Sequence, residues 1–112
     1  MTGMDLMHRS AEKLLDNYCR RRVARLGLEK PLVRLVWERL NDGYQLVEQS
    51  FDGRRLRQDA IARFIYQPEL CQWTLHQQTQ DHWQFCTNVS PNLNLQKLLD
   101  FVDADPFGQF WR

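Results

Sequence analysis

The residues best suited to chemistry are a pair of histidines, three cysteines, three C-terminal aspartates and two arginine clusters. His76 and His82 stand in two runs, Leu70–His76 and His82–Thr87, that alternate apolar and polar residues as half-buried strands do. Pairing Trp73 with Phe85 and Leu75 with Trp83 sets His76 directly across from His82, with Cβ atoms about 5 Å apart. Two imidazoles at that spacing are the beginning of a zinc site, but zinc sites use at least three protein ligands. In that register Asp81 points to the other face, and Cys86 lies roughly 13 Å along the strand. No metal ligand set and no cofactor is assigned.

Cys19, Cys71 and Cys86 are odd in number and contain no Cys-x-x-Cys spacing, which reads as reduced structural thiols. If Trp73 and Trp83 share a face, alternation puts Cys71 on that face and Cys86 on the other, so a bridge between them fails on geometry. Asp100, Asp103 and Asp105 resemble part of a calcium loop, but the Gly at its sixth position and the Glu at its twelfth are missing. Asp105 before Pro106 reads as a turn former, and the other two as salt-bridge partners of the basic helix. Catalytic signatures are absent as well: there is no Gly-rich phosphate loop, nucleophile elbow or nucleophile–base pair in sequence. No catalytic residue is assigned, and a small-molecule enzyme stands as the last of three functional readings.

The arginines are the remaining candidates. Arg20, Arg21, Arg22 and Arg25 crowd the end of a predicted helix, where the dipole favours cations. Arg54, Arg55 and Arg57 fall in the polar stretch Asp52–Gln58, which reads as a solvated loop. Together these seven are the nucleic-acid candidates. The net charge of +1 argues neither way. Residues 1–57 carry 12 Lys/Arg against 8 Asp/Glu and residues 58–112 carry 3 against 6, an asymmetry that pairing between the two ends also explains.

These groups need a scaffold, and the chain supplies one. At 112 residues it is read as a single domain spanning 1–112, and 43% hydrophobic with 26% charged residues is ordinary for a folded soluble protein. No apolar run is long enough to span a bilayer and no secretory leader is evident, so a cytoplasmic protein without a membrane partner is expected. Met7, Ala11, Leu14, Leu15, Tyr18 and Leu26 form one apolar stripe of a helix over about 5–26, with Gly27 as its C-cap. Leu32–Leu40 and Tyr44–Phe51 flank Asn41-Asp42-Gly43, a hairpin signal. A three-residue loop with Gly43 left-handed would set Trp37 against Val47 and Val33 against Phe51. Ala60–Tyr66 continues the sheet. Leu95, Leu98, Leu99 and Val102 define a short second helix, capped by Asn92 or Asn94 and ended by Pro106. The aromatic tail Phe107–Trp111 is expected to fold back on the body.

The expected fold is therefore α+β: an N-terminal helix, an antiparallel meander of about five strands and a short C-terminal helix, with both helices on one sheet face. The tryptophans of Ala60–Thr87 are assigned to the core. Leu40, Tyr44, Leu46, Ile61 and Ile65 are assigned to the second face, as candidates for an interface with a protein partner or a second copy.

Four pieces carry a likeness to a known family: Tyr18-Cys19-Arg20-Arg21-Arg22-Val23; Asp59–Tyr66; Trp73-x-Leu75 with His82-Trp83-x-Phe85; and Val102-Asp103-Ala104-Asp105-Pro106-Phe107-Gly108-x-Phe110-Trp111. The chain resembles the small bacterial proteins catalogued as domain of unknown function 3024. Relatives of that kind usually close on Gly where this chain has Arg112, and tend to hold an aromatic where it has His76. The resemblance implies a small α+β fold and a bacterial source, and supplies no activity. A non-enzymatic protein-binding or self-associating module is the leading functional reading, with nucleic-acid binding through the arginines as the alternative.

Overall fold

The computed structural model describes residues 3–26, 33–51 and 53–111. The chain runs α1 (Gly3–Leu26), β1 (Val33–Arg39), β2 (Gly43–Phe51), β3 (Leu56–Gln67), β4 (Gln72–Thr79), β5 (His82–Phe85) and α2 (Leu95–Ala104). The five strands pair antiparallel in chain order, which is the meander that the alternation predicts.

The helices form because their apolar residues share one side. Ala11, Leu15, Tyr18 and Cys19 of α1 are buried, as are Leu95, Leu98, Leu99 and Val102 of α2. Burying each of the α2 leucines contributes about 1.5–3 kcal/mol. Asn94 caps α2, its side-chain oxygen accepting from the Gln96 N–H at 3.0 Å. The predicted Gly27 cap of α1 lies outside the described residues.

Both helices lie on one face of the sheet. That face presents Leu35, Tyr44, Leu46, Ala62, Phe64, Trp73 and Leu75 to the common core. The opposite face carries Val36, Leu40, Val47, Ile65, Thr74, His76, Trp83 and Phe85, and no described helix covers it.

Two hairpin registers differ from the sequence expectation. In the first, Trp37 faces Leu46 rather than Val47, because Leu40 and Gly43 close a two-residue turn of Asn41 and Asp42. Gly43 is needed for close approach rather than for a left-handed backbone. A Cβ there would overlap the Phe64 carbonyl oxygen and come within 2.9 Å of the Ile65 Cα. In the second, Gln80 and Asp81 make a two-residue turn, with Gln80 at φ 53°. The pairs are then Gln78 with Trp83 and His76 with Phe85. Trp83 and Phe85 thereby leave the Trp73 face, so of the two tryptophans assigned to the core Trp73 stays there and Trp83 is corrected to the opposite face. The predicted solvated loop is also shorter, since β3 begins at Leu56 and Arg57 pairs with Ser50.

Irregularities open a cleft on the sheet. Leu46 opposes Ala62 but Val47 opposes Ala60, so Ile61 is the extra residue of a bulge. The β3–β4 ladder covers only Arg63–Gln67 against Gln72–His76. Beyond it the two strands part, and a cleft of about 760 Å³ lies between Arg57–Ile61 and Gln78, floored by Phe110 and Trp111.

The C-terminal tail is held by one carboxylate. Asp105 ends α2 in the left-handed region at φ 44°. Its side chain accepts from the backbone N–H groups of Gln109 at 2.7 Å, Phe110 at 3.2 Å and Trp111 at 3.0 Å. Phe110 is thereby set into the core at 3% exposure.

Candidate functional site

The open sheet face is the surface on which reactive and recognition groups converge. Arg63 on β3 lays its guanidinium over the Trp83 ring of β5, 4.3 Å from the centroid, and its Nε donates to the Gln45 Oε1 of β2 at 2.8 Å. Such a stack fixes a side chain that would otherwise be free in solvent. Next to it His76 meets Phe85 edge to face, with centroids 5.7 Å apart, and its Nε2 lies 3.0 Å from the Thr74 Oγ1. Thr74 is buried and anchored in turn, donating to the Ile65 carbonyl oxygen at 3.2 Å. Burial lowers the His76 pKa from its ordinary value; the Asp42 carboxylate opposes that shift and Arg63 adds to it. His76 is therefore held toward the neutral form, a hydrogen-bonding and stacking group rather than a fixed cation.

Beyond this cluster the face mixes apolar and amide side chains, with Val36, Val47 and Ile65 interleaved by Gln45, Gln49, Gln58 and Gln78. Phe51, Leu56 and Phe85 are 46%, 56% and 40% exposed. Among the described strand residues, its formally charged side chains are Arg34, Glu38 and Arg63. The arrangement offers aromatic surface, aliphatic surface and one oriented guanidinium. Among the described residues no three His, Cys, Asp or Glu are grouped to hold a metal ion.

The predicted interface residues divide between the two faces. Leu40 and Ile65 lie on the open face and are half-buried. Tyr44, Leu46 and Ile61 do not reach a surface, being 0%, 0% and 8% exposed in the core. The corrected first register brings Tyr44 and Leu46 under α1, and the bulge turns Ile61 in beside them. Tyr44 is tied there by polar contacts. Its hydroxyl donates to the Glu12 carboxylate at 2.8 Å and lies 2.7 Å from the His8 Nδ1. Burial and that hydrogen bond push its pKa well up, which keeps the phenol neutral.

The arginines do not form one patch. Arg20 and Arg21 are exposed on α1 beside Gln96. Arg22 is paired with Asp103 at 3.1 Å and stacked 3.9 Å over Trp111. The side chain of Arg25 lies outside the described residues. Arg54 and Arg55 are exposed between β2 and β3. Arg57 shares the 760 Å³ cleft with Arg22, but Glu48 and Asp59 line the same cleft and offset their charge. The C-terminal aspartates are likewise engaged: Asp100 by Gln96 at 2.8 Å, Asp103 by Tyr18 and Arg22, and Asp105 by the tail amides.

His76 and His82 do not face each other, since His76 pairs with Phe85 and His82 with Thr79. The two-residue turn shifts β5 away from the register that would have joined them. The cysteines are free thiols, with Cys19 and Cys86 buried and Cys71 exposed in the β3–β4 turn. The Arg63–Trp83 stack is the feature that sequence reading misses. Its signal is the count of residues from His76 to Phe85, which fits a two-residue turn as well as a longer one.

Comparison with known proteins adds kinship but no activity. Neither curated proteins nor solved structures give a match. A family model matches residues 4–112, and the chain belongs to that family, described as a domain of unknown function (DUF3024).

Proposed function

We propose that the chain is a non-catalytic binding module that receives a protein partner on its open sheet face. The observation that carries this reading is the face itself. It is a sheet surface that no described helix covers, with apolar and amide side chains, an oriented Arg63–Trp83 pair and a partly exposed Phe85. Protein interfaces are enriched in aromatic residues and arginine at their centre and depleted in lysine and carboxylates. Affinity capture with the wild type and with Trp83→Ala/Phe85→Ala, quantified by mass spectrometry, tests it. The same partner should be lost with the open-face variant and kept with Arg20→Ala/Arg21→Ala. An unchanged partner set for the open-face variant would overturn the reading.

A second reading has its own observation in favour. Aromatic rings and arginine on an open antiparallel sheet also suit the stacking of single-stranded bases. Against it stands the small number of cations on the face, because phosphate contacts supply most of such affinity. A labelled single-stranded oligonucleotide that fails to bind at about 50 mM salt removes this alternative.

A further inference from the structure

The border strand β1 carries a charge pattern that is complementary to itself. β1 has β2 as its one strand neighbour among the described residues. An edge of this kind offers a row of backbone donors and acceptors to another strand. Its seven residues, Val-Arg-Leu-Val-Trp-Glu-Arg, contain no proline, no lysine and no bulge against β2, three of the devices that blunt an edge, and its charges are of both signs. The other border, β5, is only four residues long.

The direction of the backbone groups follows from the first turn. The Leu40 N–H donates to the Gly43 carbonyl oxygen at 2.8 Å, and hydrogen-bonded pairs alternate with non-bonded ones along an antiparallel ladder. Arg34, Val36 and Glu38 therefore turn their backbone groups toward β2. Val33, Leu35, Trp37 and Arg39 turn theirs outward.

An antiparallel second copy related by a two-fold axis at Val36 uses these outward groups. Leu35 then lies opposite Trp37 of the partner subunit, and Val33 opposite Arg39 of the partner subunit, as hydrogen-bonded pairs. The same register sets Arg34 against Glu38 of the partner subunit in a non-bonded pair, where side chains approach most closely. Arg34 and Glu38 are both exposed and share one face, but four residues along a strand separate them by roughly 13 Å, too far to neutralise each other. Moving the axis one residue either way puts Arg34 or Glu38 against Val36 and leaves the charges unmatched. α1 meets β1 from the helix side, with Asp16 on Trp37 and Glu12 on Arg39, so it covers the face of the strand and leaves its in-plane border to a partner.

We propose that the chain forms a homodimer by antiparallel pairing of β1 with β1 about Val36. The two sheets become one, and the open faces of both copies point the same way. An isologous contact requires such self-complementarity. The contact is independent of what the open face binds.

Light scattering over a concentration series, with charge-reversed variants, tests the register. The wild type should rise toward twice the chain mass. Arg34→Glu and Glu38→Arg should each weaken the dimer by tenfold or more, by placing like charges together twice. The double variant Arg34→Glu/Glu38→Arg should restore it, while Trp83→Ala/Phe85→Ala should leave it unchanged. Amide exchange should show Leu35 and Trp37 protected only at high concentration and Val36 protected throughout. A monomer at every concentration overturns the proposal, as does a dimer indifferent to both single reversals or one the double variant fails to restore.

Discussion

Arg63 on β3 and Trp83 on β5 meet over β4, with the guanidinium carbon 4.3 Å from the ring centroid. β3 and β5 are thereby linked across β4 on the face that no described helix covers. The pair is held from its far side, because Gln45 of β2 accepts the Arg63 Nε–H at 2.8 Å. A partly exposed cation–π contact of this kind contributes about 0.5–1 kcal/mol. A double-mutant cycle of Arg63→Ala and Trp83→Leu, read by denaturant unfolding, should return a coupling of about that size. Strict additivity would mean that the stack does not hold in solution.

Gly43 has a different role from the usual hairpin glycine. It is buried beside β3, and a methyl group there would collide with the Phe64 carbonyl oxygen, which is backbone and cannot swing aside. Gly43→Ala is therefore expected to destabilise the fold by about 3 kcal/mol, at the upper end of overpacking effects. Thermal unfolding checks it. Asn41→Ala, in the exposed turn beside it, should cost much less.

The cradle at Asp105 makes the C-terminal motif a structural device. Three tail amides converge on one carboxylate, and hydrogen bonds to a charged group contribute about 1.5–3 kcal/mol each. The backbone at φ 44° would by itself favour glycine. Asp105→Gly thus separates the two effects. If the carboxylate dominates, the variant loses several degrees of melting temperature although its backbone is relaxed, and Phe110 becomes accessible. A neutral or stabilising change would assign the residue to its conformation alone.

The sequence patterns that proved readable are those with one solution. In α2, Leu95, Leu98, Leu99 and Val102 have only one face to share, and Asn94 has only one helix to cap. The meander order was equally legible from Val33 to Phe85, because successive alternating runs separated by short turns leave few other topologies. Register was harder. Each hairpin admits several turns, and the expected registers miss by one residue in the first hairpin and by three in the second. Any odd shift reverses the face of a strand relative to its neighbour. Trp83 was misplaced for that reason, and with it the whole open-face cluster. Tyr44 and Leu46 were misplaced by the same error at Asn41–Asp42. Ile61 needed a bulge, which its alternating pattern does not announce.

Thiol reactivity should follow burial. Burial raises the pKa of Cys86 to about 11, and burial together with the Asp16 carboxylate raises that of Cys19 to about 11. Thiolate is the reactive form, so both should be inert in the folded chain. Cys71 is exposed at a left-handed turn position. Alkylation at neutral pH should add one adduct at Cys71 to the native protein and three to the unfolded one, as read by intact mass. Rapid modification of Cys86 in the folded state would contradict its placement in the core.

His76 gives the fold a pH dependence whose sign is determined. Burial holds its folded pKa below the ordinary value, with Asp42 opposing and Arg63 reinforcing. The unfolded histidine takes up its proton near its ordinary pKa of roughly 6.5. Between that value and the lower folded one, the unfolded chain binds more protons, so falling pH favours unfolding. The contribution of His76 is fully present above about pH 6.5 and is lost as pH falls through the folded value. His76→Gln, with polar capacity but no titration, should flatten the decline in melting temperature between pH 7.5 and 5.5 relative to the wild type. Comparing slopes removes the constant loss from the Phe85 contact, leaving the proton as the cause. Equal slopes for the two proteins would show that His76 is as accessible to protonation folded as unfolded, and would remove it from the buried side of the open-face cluster.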